Sequence, residues 1–536
     1  MTQWTGGYVA GIDYTHGYYR ELGPLHAAMA LAHAGVPMPA VATACELGFG
    51  QGLSTNIHAA ASNVAWYGTD FNPVQAGFAA QLAQAAGSGA QLVDQSFAEY
   101  CARTDLPDFD FIALHGVWSW VSPANRALLR DFVRRKLKPG GVLYLSYNCQ
   151  PGWAPMVPVR DLLSSYIDRL TAPGEPLERR IDAALDFADK LLATRPAYLE
   201  AYPQVAAQLA GLRAHDHRYL AHEYFNADWQ PVDFAEQAAT WAEAGLAYAC
   251  PAHHLDQLDL LNLTAPQRTL LAQLPDPVQR QGVRDLMLNQ NFRRDYWVNT
   301  GVNTGVKTEI KTEVDRLVPQ DRLAPAQHDA AMRSQRVVLV MPRADINLTV
   351  RTGAFEIALN QAMYAPLLDA LQDHQPRTVA ELEQLVPMRG GMRQLFEAVF
   401  ILCGMGVLAP AQAPDAVAAA SAVSRRLNLA LFDRARGSDD IHHLASALVG
   451  GGLAMPRIPQ LFLLAQARGL RGATAWSDFA WQQLEAHGTP LHKDGTPLAT
   501  VEDNLAELRR KADIFERLYL PLYQALGIAD TDSHER

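Results

Sequence analysis

The chain is poor in cysteine: five in 536 residues, at positions 45, 101, 149, 250 and 403, an odd number with no C-x-x-C pair. Such a set supplies neither a disulfide framework nor a structural zinc site, and all five read as buried thiols. The His253-His254 and His442-His443 doublets also lack the partner spacing of a metal centre, so no metal is expected. No apolar run is long enough to span a bilayer. The first residues, Met1-Thr2-Gln3-Trp4-Thr5-Gly6-Gly7, lack the basic-then-apolar order of a secretory signal, and a cytoplasmic location is expected. Excess positive charge is missing as well. A formal charge of −11 leaves no global field for phosphate backbones, which disfavours nucleic acid as the principal substrate.

What is present is a soluble globular composition, 49% apolar and 19% charged, in a chain long enough for about two to four domains. The most informative stretch is Ala44-Cys45-Glu46-Leu47-Gly48-Phe49-Gly50-Gln51-Gly52, an apolar strand that turns sharply into Leu53-Ser54-Thr55-Asn56. Glycines at alternate positions permit backbone angles that side chains forbid and let the main chain lie against a ligand. About twenty residues later a second strand, Val64 to Thr69, ends in Asp70, where a carboxylate can accept both hydroxyl hydrogens of a ribose. The dinucleotide fingerprint wants glycine or alanine three residues after its second glycine, and Leu53 stands there, so the NAD reading loses ground.

The first 150 residues alternate apolar strands with helical patterns, the signature of a mostly parallel sheet covered by helices. Expected strands are Val41 to Leu47, Val64 to Thr69, Gln91 to Asp94, Phe109 to Leu114 and Gly141 to Tyr147, with an alanine-rich helix from Pro73 to Ala86. From Pro158 to about Leu220 the pattern is helical and reads as an inserted cap. Phe234 to Glu243 then leads into a late strand at Ala244 to Tyr248, and Asn291 to Val298 supplies a last one. The doubled string Val298-Asn299-Thr300-Gly301 and Val302-Asn303-Thr304-Gly305 is too brief for a repeat architecture. Further on, Val337 to Met341 and Ile346 to Val350 read as two strands around a Pro342 turn. Helices at Tyr364 to Gln372, Thr378 to Leu385 and Met392 to Ile401 suit a winged-helix shape, and Thr500 to Leu526 reads as one amphipathic helix with Thr500 and Asp503 as a capping pair. The expected division is a Rossmann-like core at 1–155, a helical cap at 156–220, a region completing the sheet at 221–305, a winged-helix-like middle domain at 306–415 and a helical C-terminal domain at 416–536.

The order Glu46, Gly48, Gly50, Gly52, then Asp70 is similar to the first two motifs of class I S-adenosylmethionine-dependent methyltransferases. More widely, the chain resembles the bacterial methyltransferases that carry a methyltransferase regulatory domain, a group that includes protein lysine methyltransferases acting on outer-membrane proteins. The likeness also covers Tyr14-Thr15-His16, His115-Gly116-Val117-Trp118-Ser119-Trp120-Val121, Tyr147 to Trp153, Tyr219 to Asn226, Asn291 to Asp295 and Leu444 to Leu463. It departs at Phe49 and Gln51, where relatives often show Cys and Thr, and at Gln150, where an aromatic is common.

The resemblance implies an α/β fold with a Rossmann-like class I methyltransferase sheet, an inserted helical cap and smaller, mostly helical C-terminal domains. The implied cofactor is S-adenosyl-L-methionine. Methyl transfer from a sulfonium is an in-line displacement, so alignment and exclusion of water are the main requirements. Gly48, Gly50 and Gly52 are expected against the cofactor backbone, Asp70 at the ribose, and Asp94, Ser96 and Phe97 at the adenine; an N-cap before Pro73 is the structural alternative for Asp70. Glu46 anchors either the loop or the cofactor amino group. His115, Trp118 and Trp120 follow the fourth strand, where aromatic faces can hold a sulfonium or a lysine ammonium. Tyr14, His16, His115 and Tyr147 are the groups able to accept a lysine proton or relay it to water. The expected activity is N-methylation of lysine on a protein acceptor. The alternatives are a small-molecule acceptor and a cofactor-binding regulatory protein without turnover; a homodimer is compatible with all three.

Overall fold

The computed structural model describes residues 15–172, 174–301, 322–353, 355–493 and 495–530. Tyr14 and the second half of the doubled string, 302–305, lie outside them. Seven strands form the central sheet: β1 (Thr43–Leu47), β2 (Ala65–Asp70), β3 (Gln91–Asp94), β4 (Phe109–Leu114), β5 (Leu137–Asn148), β6 (Leu246–Pro251) and β7 (Phe292–Asn299). Their order is β3-β2-β1-β4-β5-β7-β6. The first five run parallel, while β7 is antiparallel to both β5 and β6. Strand order reverses beside β1, so a crevice opens between the carboxyl ends of β1 and β4, the place where open α/β sheets bind ligands.

β4 is buried along its whole length, as suits a central parallel strand, and its one charged residue, Asp110, accepts from the Ala42 and Thr43 amides at 2.9 and 3.0 Å. Helices cover both faces: α1 (Pro24–Ala34), α2 (Leu53–Ala61), α3 (Pro73–Ala86), α4 (Phe97–Cys101) and α5 (Pro123–Lys136). Pro73 starts α3 at a position where a missing N–H costs nothing, and Gly87 ends it in the left-handed region at φ 61°.

The helices Val157–Leu170, Leu177–Ala193 and Pro203–Gly211 lie in sequence between β5 and β6 and share a core of their own around Leu163, Ile181 and Leu209. Farther along, the strands Arg336–Leu339 and Thr349–Arg351 do not pair around Pro342 as the sequence suggests. The first pairs with Arg377–Thr378 and Leu408–Pro410, the second with Glu356–Ala358. Pairing between distant segments outweighed the local turn. The final amphipathic segment is likewise interrupted: Val501–Ile514 passes through a π-helical turn, Phe515–Tyr519, into Leu520–Ala525. Pro521 lacks an N–H for the regular ladder, which accounts for the defect. Thr500 caps the segment by accepting from the Asp503 amide at 3.1 Å.

The C-terminal part is joined to the sheet domain through α2 and α3. Leu53, Ile57, Leu82 and Ala86 share one apolar cluster with Leu427, Leu431 and Phe432 of the helix Pro414–Arg434. At the ends of α2 and α3, Gln412 Nε2 donates to Ala61 O at 2.8 Å, Ser424 Oγ to Ala60 O at 2.9 Å and Arg426 Nε to Ala86 O at 2.7 Å. These carbonyls belong to the last turns, where no helical amide can reach them.

Candidate active site

β1 delivers Glu46 to the crevice, and the chain then turns through Gly48, Gly50 and Gly52 at φ 78°, 58° and 65°. Side chains rarely adopt such angles. The loop is fastened to the end of β2: Gly48 N donates to Thr69 O at 2.8 Å and Gly50 N to Asp70 Oδ2 at 2.8 Å. The other Asp70 oxygen accepts from Asn72 N at 2.9 Å. Asn72, rather than Asp70, caps α3, accepting from Val74 N at 3.0 Å. Burial pushes the Asp70 carboxyl up to about 6, against the pull of the Asn72, Gly50 and Phe71 amides and with a further push from Asp94.

Glu46 is buried and accepts from the Thr55 hydroxyl of α2. Burial pushes it up to about 8, the Thr55 bond lowers it and the neighbouring Asp70 raises it. Thr55 ties Glu46 to the helix that follows the loop, and Glu46 also lines the cavity described next. Both roles left open by its position in the sequence are therefore compatible with its place in the fold.

A cavity of about 280 Å³ lies over this loop. Of the residues singled out from sequence, Glu46, Gly48, Gly50, Asp70, Ser96, Phe97 and His115 line it. Gly52, Asp94, Trp118, Tyr147 and His16 are not part of the lining. A Cβ on Gly52 would stand 2.5 Å from Ala79 Cβ, so this glycine admits the close approach of α3. Asp94 is exposed at the end of β3. Trp118 packs on Trp241 with ring centroids 5.0 Å apart, and Trp120, two residues on, lines the cavity instead. Tyr147 faces the opposite side of the sheet and donates to Asp295 Oδ2 at 2.8 Å. Arg293 completes that buried cluster, 2.6 Å from Asp285 and 2.8 Å from Asp295. His16 meets Phe78 of α3 edge-on and comes within 3.4 Å of Asp440. Gln150 turns outward and donates to Pro231 O at 3.1 Å.

At the end of β4, His115 shares a 2.8 Å hydrogen bond with the Tyr144 hydroxyl, and Tyr19 lies against its ring at a centroid distance of 3.5 Å. Burial holds the imidazole down to about 4, with Glu21 raising it and Arg294 lowering it. His115 is thus neutral at physiological pH. The next residue, Gly116, donates its amide to Ser146 Oγ at 2.8 Å. Strand alternation could have found these partners, because Tyr144 and Ser146 share one face of β5 and Tyr147 lies on the other. Tyr19, in contrast, carries no local signal.

The lining suits a nucleoside with an amino-acid tail. A Cβ on Gly48 would come within 2.6 Å of Val117 Cγ2, so the bare backbone is part of the cradle. Asp70 suits a ribose, Glu46 an ammonium, and Phe71 and Phe97 the faces of a base. Two buried polar atoms of lining residues, Gln95 Oε1 and Trp120 Nε1, have no protein partner among the described residues.

Sequence comparison gives the same answer. The family described as a methyltransferase domain matches residues 45–145, and the one described as a predicted methyltransferase regulatory domain matches residues 216–299. The protein sll1526 of Synechocystis sp. is 36% identical over 532 residues, covering 98% of this chain and 100% of its own. The chain belongs to the class I S-adenosylmethionine-dependent methyltransferases that carry a methyltransferase regulatory domain. RP789 of Rickettsia prowazekii is 27% identical over 51% of this methyltransferase and 49% of its own length. Among solved structures, PKMT2 from Rickettsia typhi in complex with AdoHcy superimposes with a TM-score of 0.66 at 13% identity, over 95% of this chain and 99% of that one. A second structure of PKMT2 gives 0.63 at 14% identity, over 96% and 99%. The regulatory-domain match spans β6 and β7, so in this methyltransferase that segment supplies two strands of the catalytic sheet. Among the described residues no helix is long and apolar enough to cross a membrane.

Proposed function

We propose that this methyltransferase transfers the methyl group to the side-chain nitrogen of lysine on a protein acceptor. The observation that carries the reading is the position of Tyr19, which lines two cavities at once. One is the cofactor cavity; the other, of about 610 Å³, is walled by the sheet domain, by the segment around Met341 and by the C-terminal part at Gly451 and Tyr523. A compartment assembled from three parts of the chain suits a side chain that arrives with its backbone attached. Tyr18, Tyr19, Tyr519 and Tyr523 line it, and such rings favour a cation over their faces.

In this reading Gly48, Gly50, Glu46 and Asp70 would hold the cofactor, which would supply an electrophilic methyl group on a sulfonium. The lysine must arrive without its extra proton, so that the nitrogen lone pair forms the N–C bond as the S–C bond breaks. His115 is neutral and bonded to Tyr144, which suits passage of that proton to water rather than its storage. Tyr19 and Trp120 exclude solvent at the cavity wall.

Incubation of the full chain with methyl-labelled cofactor and a lysine-bearing polypeptide tests the reading. Methyllysine in the acid hydrolysate is the expected product. Label confined to small molecules of a cell extract overturns it in favour of a metabolite acceptor, and cofactor binding with no labelled product at all favours a regulatory protein without turnover.

A further inference from the structure

We infer that the protein carries a second ligand site, for a small organic oxyanion, in a cavity beside the outer strand of the sheet, β6. The site stands apart from methyl transfer, because its cavity shares no lining residue with the cofactor cavity or with the compartment of about 610 Å³.

The cavity measures about 300 Å³ and is bounded by Tyr248 to Pro251 of β6, by the helix Pro277–Leu288 and by the end of α1 at His33. It thus lies against the segment 216–299, the one matched by the family described as a predicted methyltransferase regulatory domain. Its polar lining holds donors with capacity to spare. Arg284 is 6% exposed; its Nε donates to Asp259 Oδ1 at 2.8 Å and its Nη2 to Asp256 O at 2.5 Å, while Nη1 has no protein partner among the described residues. Gln281 Oε1 and the Tyr248 hydroxyl oxygen each accept from Arg293 Nη2, at 3.1 and 3.0 Å. That leaves the Gln281 amino group and the Tyr248 O–H to donate. Both side chains are half-buried and line the cavity.

Charge decides which sign of ligand those donors meet. Each acid of the lining already faces a basic group: Asp259 pairs with Arg284 at 2.8 Å, and Asp256 lies 3.2 Å from His253 and 4.0 Å from Arg294. Arg280 and Arg322, both exposed, also belong to the lining and pair with no acid among the described residues. Three arginines against two aspartates leave the cavity positive. A guanidinium presents its N–H groups in a planar fork that matches the oxygens of a carboxylate or a phosphate, and such charge-assisted bonds are the stronger kind. Beside the donors, Ala249, Pro277 and Val278 are half-buried and form an apolar wall, which calls for an oxyanion carried on a small apolar body rather than for a bare inorganic ion.

The test is ligand-observed NMR and thermal melting of the full-length protein with benzoate and with phenyl phosphate, against benzyl alcohol and inorganic phosphate as controls. At least one of the two organic anions is expected to bind tenfold or more tightly than both controls and to raise the melting temperature, and which one does so tells a carboxylate ligand from a phosphate one. The double variant Arg280→Gln with Arg322→Gln should lose at least tenfold in affinity for that probe. Its melting temperature and its affinity for S-adenosylhomocysteine should stay unchanged, because both arginines are exposed and lie outside the cofactor cavity. Tyr248→Phe, which keeps the ring and removes the donor, should weaken the same probe at least threefold. Undiminished binding in either variant, equal binding of benzyl alcohol, displacement of the probe by S-adenosylhomocysteine, or no binding of either organic anion overturns the site.

Discussion

The Gly50 amide points at Asp70 Oδ2 from 2.8 Å, so the glycine loop after β1 and the acid at the end of β2 form one unit. Asp70→Ala removes the tether of the loop and, in the proposed reading, the ribose acceptor. It should weaken S-adenosylhomocysteine binding by roughly 1 to 3 kcal/mol in calorimetry, the cost of an unpaired buried partner, and lower the melting temperature even without ligand.

Gly48→Ala should weaken both binding and stability, by about 1 to 3 kcal/mol, because the new methyl group overpacks against Val117 Cγ2, 2.6 Å away. The double variant Gly48→Ala with Val117→Ala separates the two causes. Melting curves should show only partial recovery, since relieving the contact leaves the strain of φ 78°.

The pH dependence of binding follows from Glu46 and Asp70. Their carboxyls are held up to about 8 and about 6, against ordinary values of 4.5 and 3.8. A group whose folded value is raised stabilises the fold below its unfolded value and loses that contribution as pH rises through the folded value. The ligand-free protein should therefore lose stability between about pH 4 and 8 from these two groups. A cofactor ammonium and ribose favour the ionised forms, so binding should release protons and tighten from pH 6 to 8. Calorimetry in buffers of different ionisation enthalpy measures that release, and Glu46→Gln should flatten its upper part.

Tyr147→Phe separates a catalytic phenol from a structural one. Its hydroxyl bonds Asp295 inside the Arg293 cluster, so the variant should lose about 1 to 3 kcal/mol in denaturant unfolding while the turnover of the folded fraction stays unchanged. A fall in kcat at unchanged stability would return Tyr147 to the reaction.

His115→Phe keeps a ring against Tyr19 and removes the nitrogen bonded to Tyr144. Methyl transfer should slow by about 10²- to 10⁴-fold with cofactor affinity unchanged, the range for loss of a proton-transfer group. In the wild type no ionisation of this histidine should appear near pH 6.5 in the kcat profile, because burial has moved it to about 4.

The crevice over the glycine loop was legible in the sequence because its determinants are local: a strand, alternating glycines, a second strand and an acid all lie between Thr43 and Asp70. The parallel strands were legible for the same reason, each being a short apolar run between turns. Side chains whose neighbours come from distant segments were not. The sequence favours Trp118 over Trp120 for the site, yet it is Trp120 that lines the cavity, because Trp241, more than a hundred residues on, draws Trp118 into the core. His16 finds Asp440, and Tyr19 reaches the cavity from a segment with no motif of its own. That Gln95 and not Asp94 lines the cavity depends on how β3 ends, which no periodicity records.

The bonds from Gln412, Ser424 and Arg426 to the last carbonyls of α2 and α3 make the carboxy-terminal half a structural debtor and creditor of the crevice at once. A fragment ending after β7 would leave those carbonyls to water and strip the apolar cover from Leu53 and Ile57, at the root of the glycine turn. Dissecting this enzyme into a minimal catalytic piece should accordingly yield a chain that precipitates or binds its nucleoside poorly, and any force that loosens the distal half will be felt first at the ends of α2 and α3.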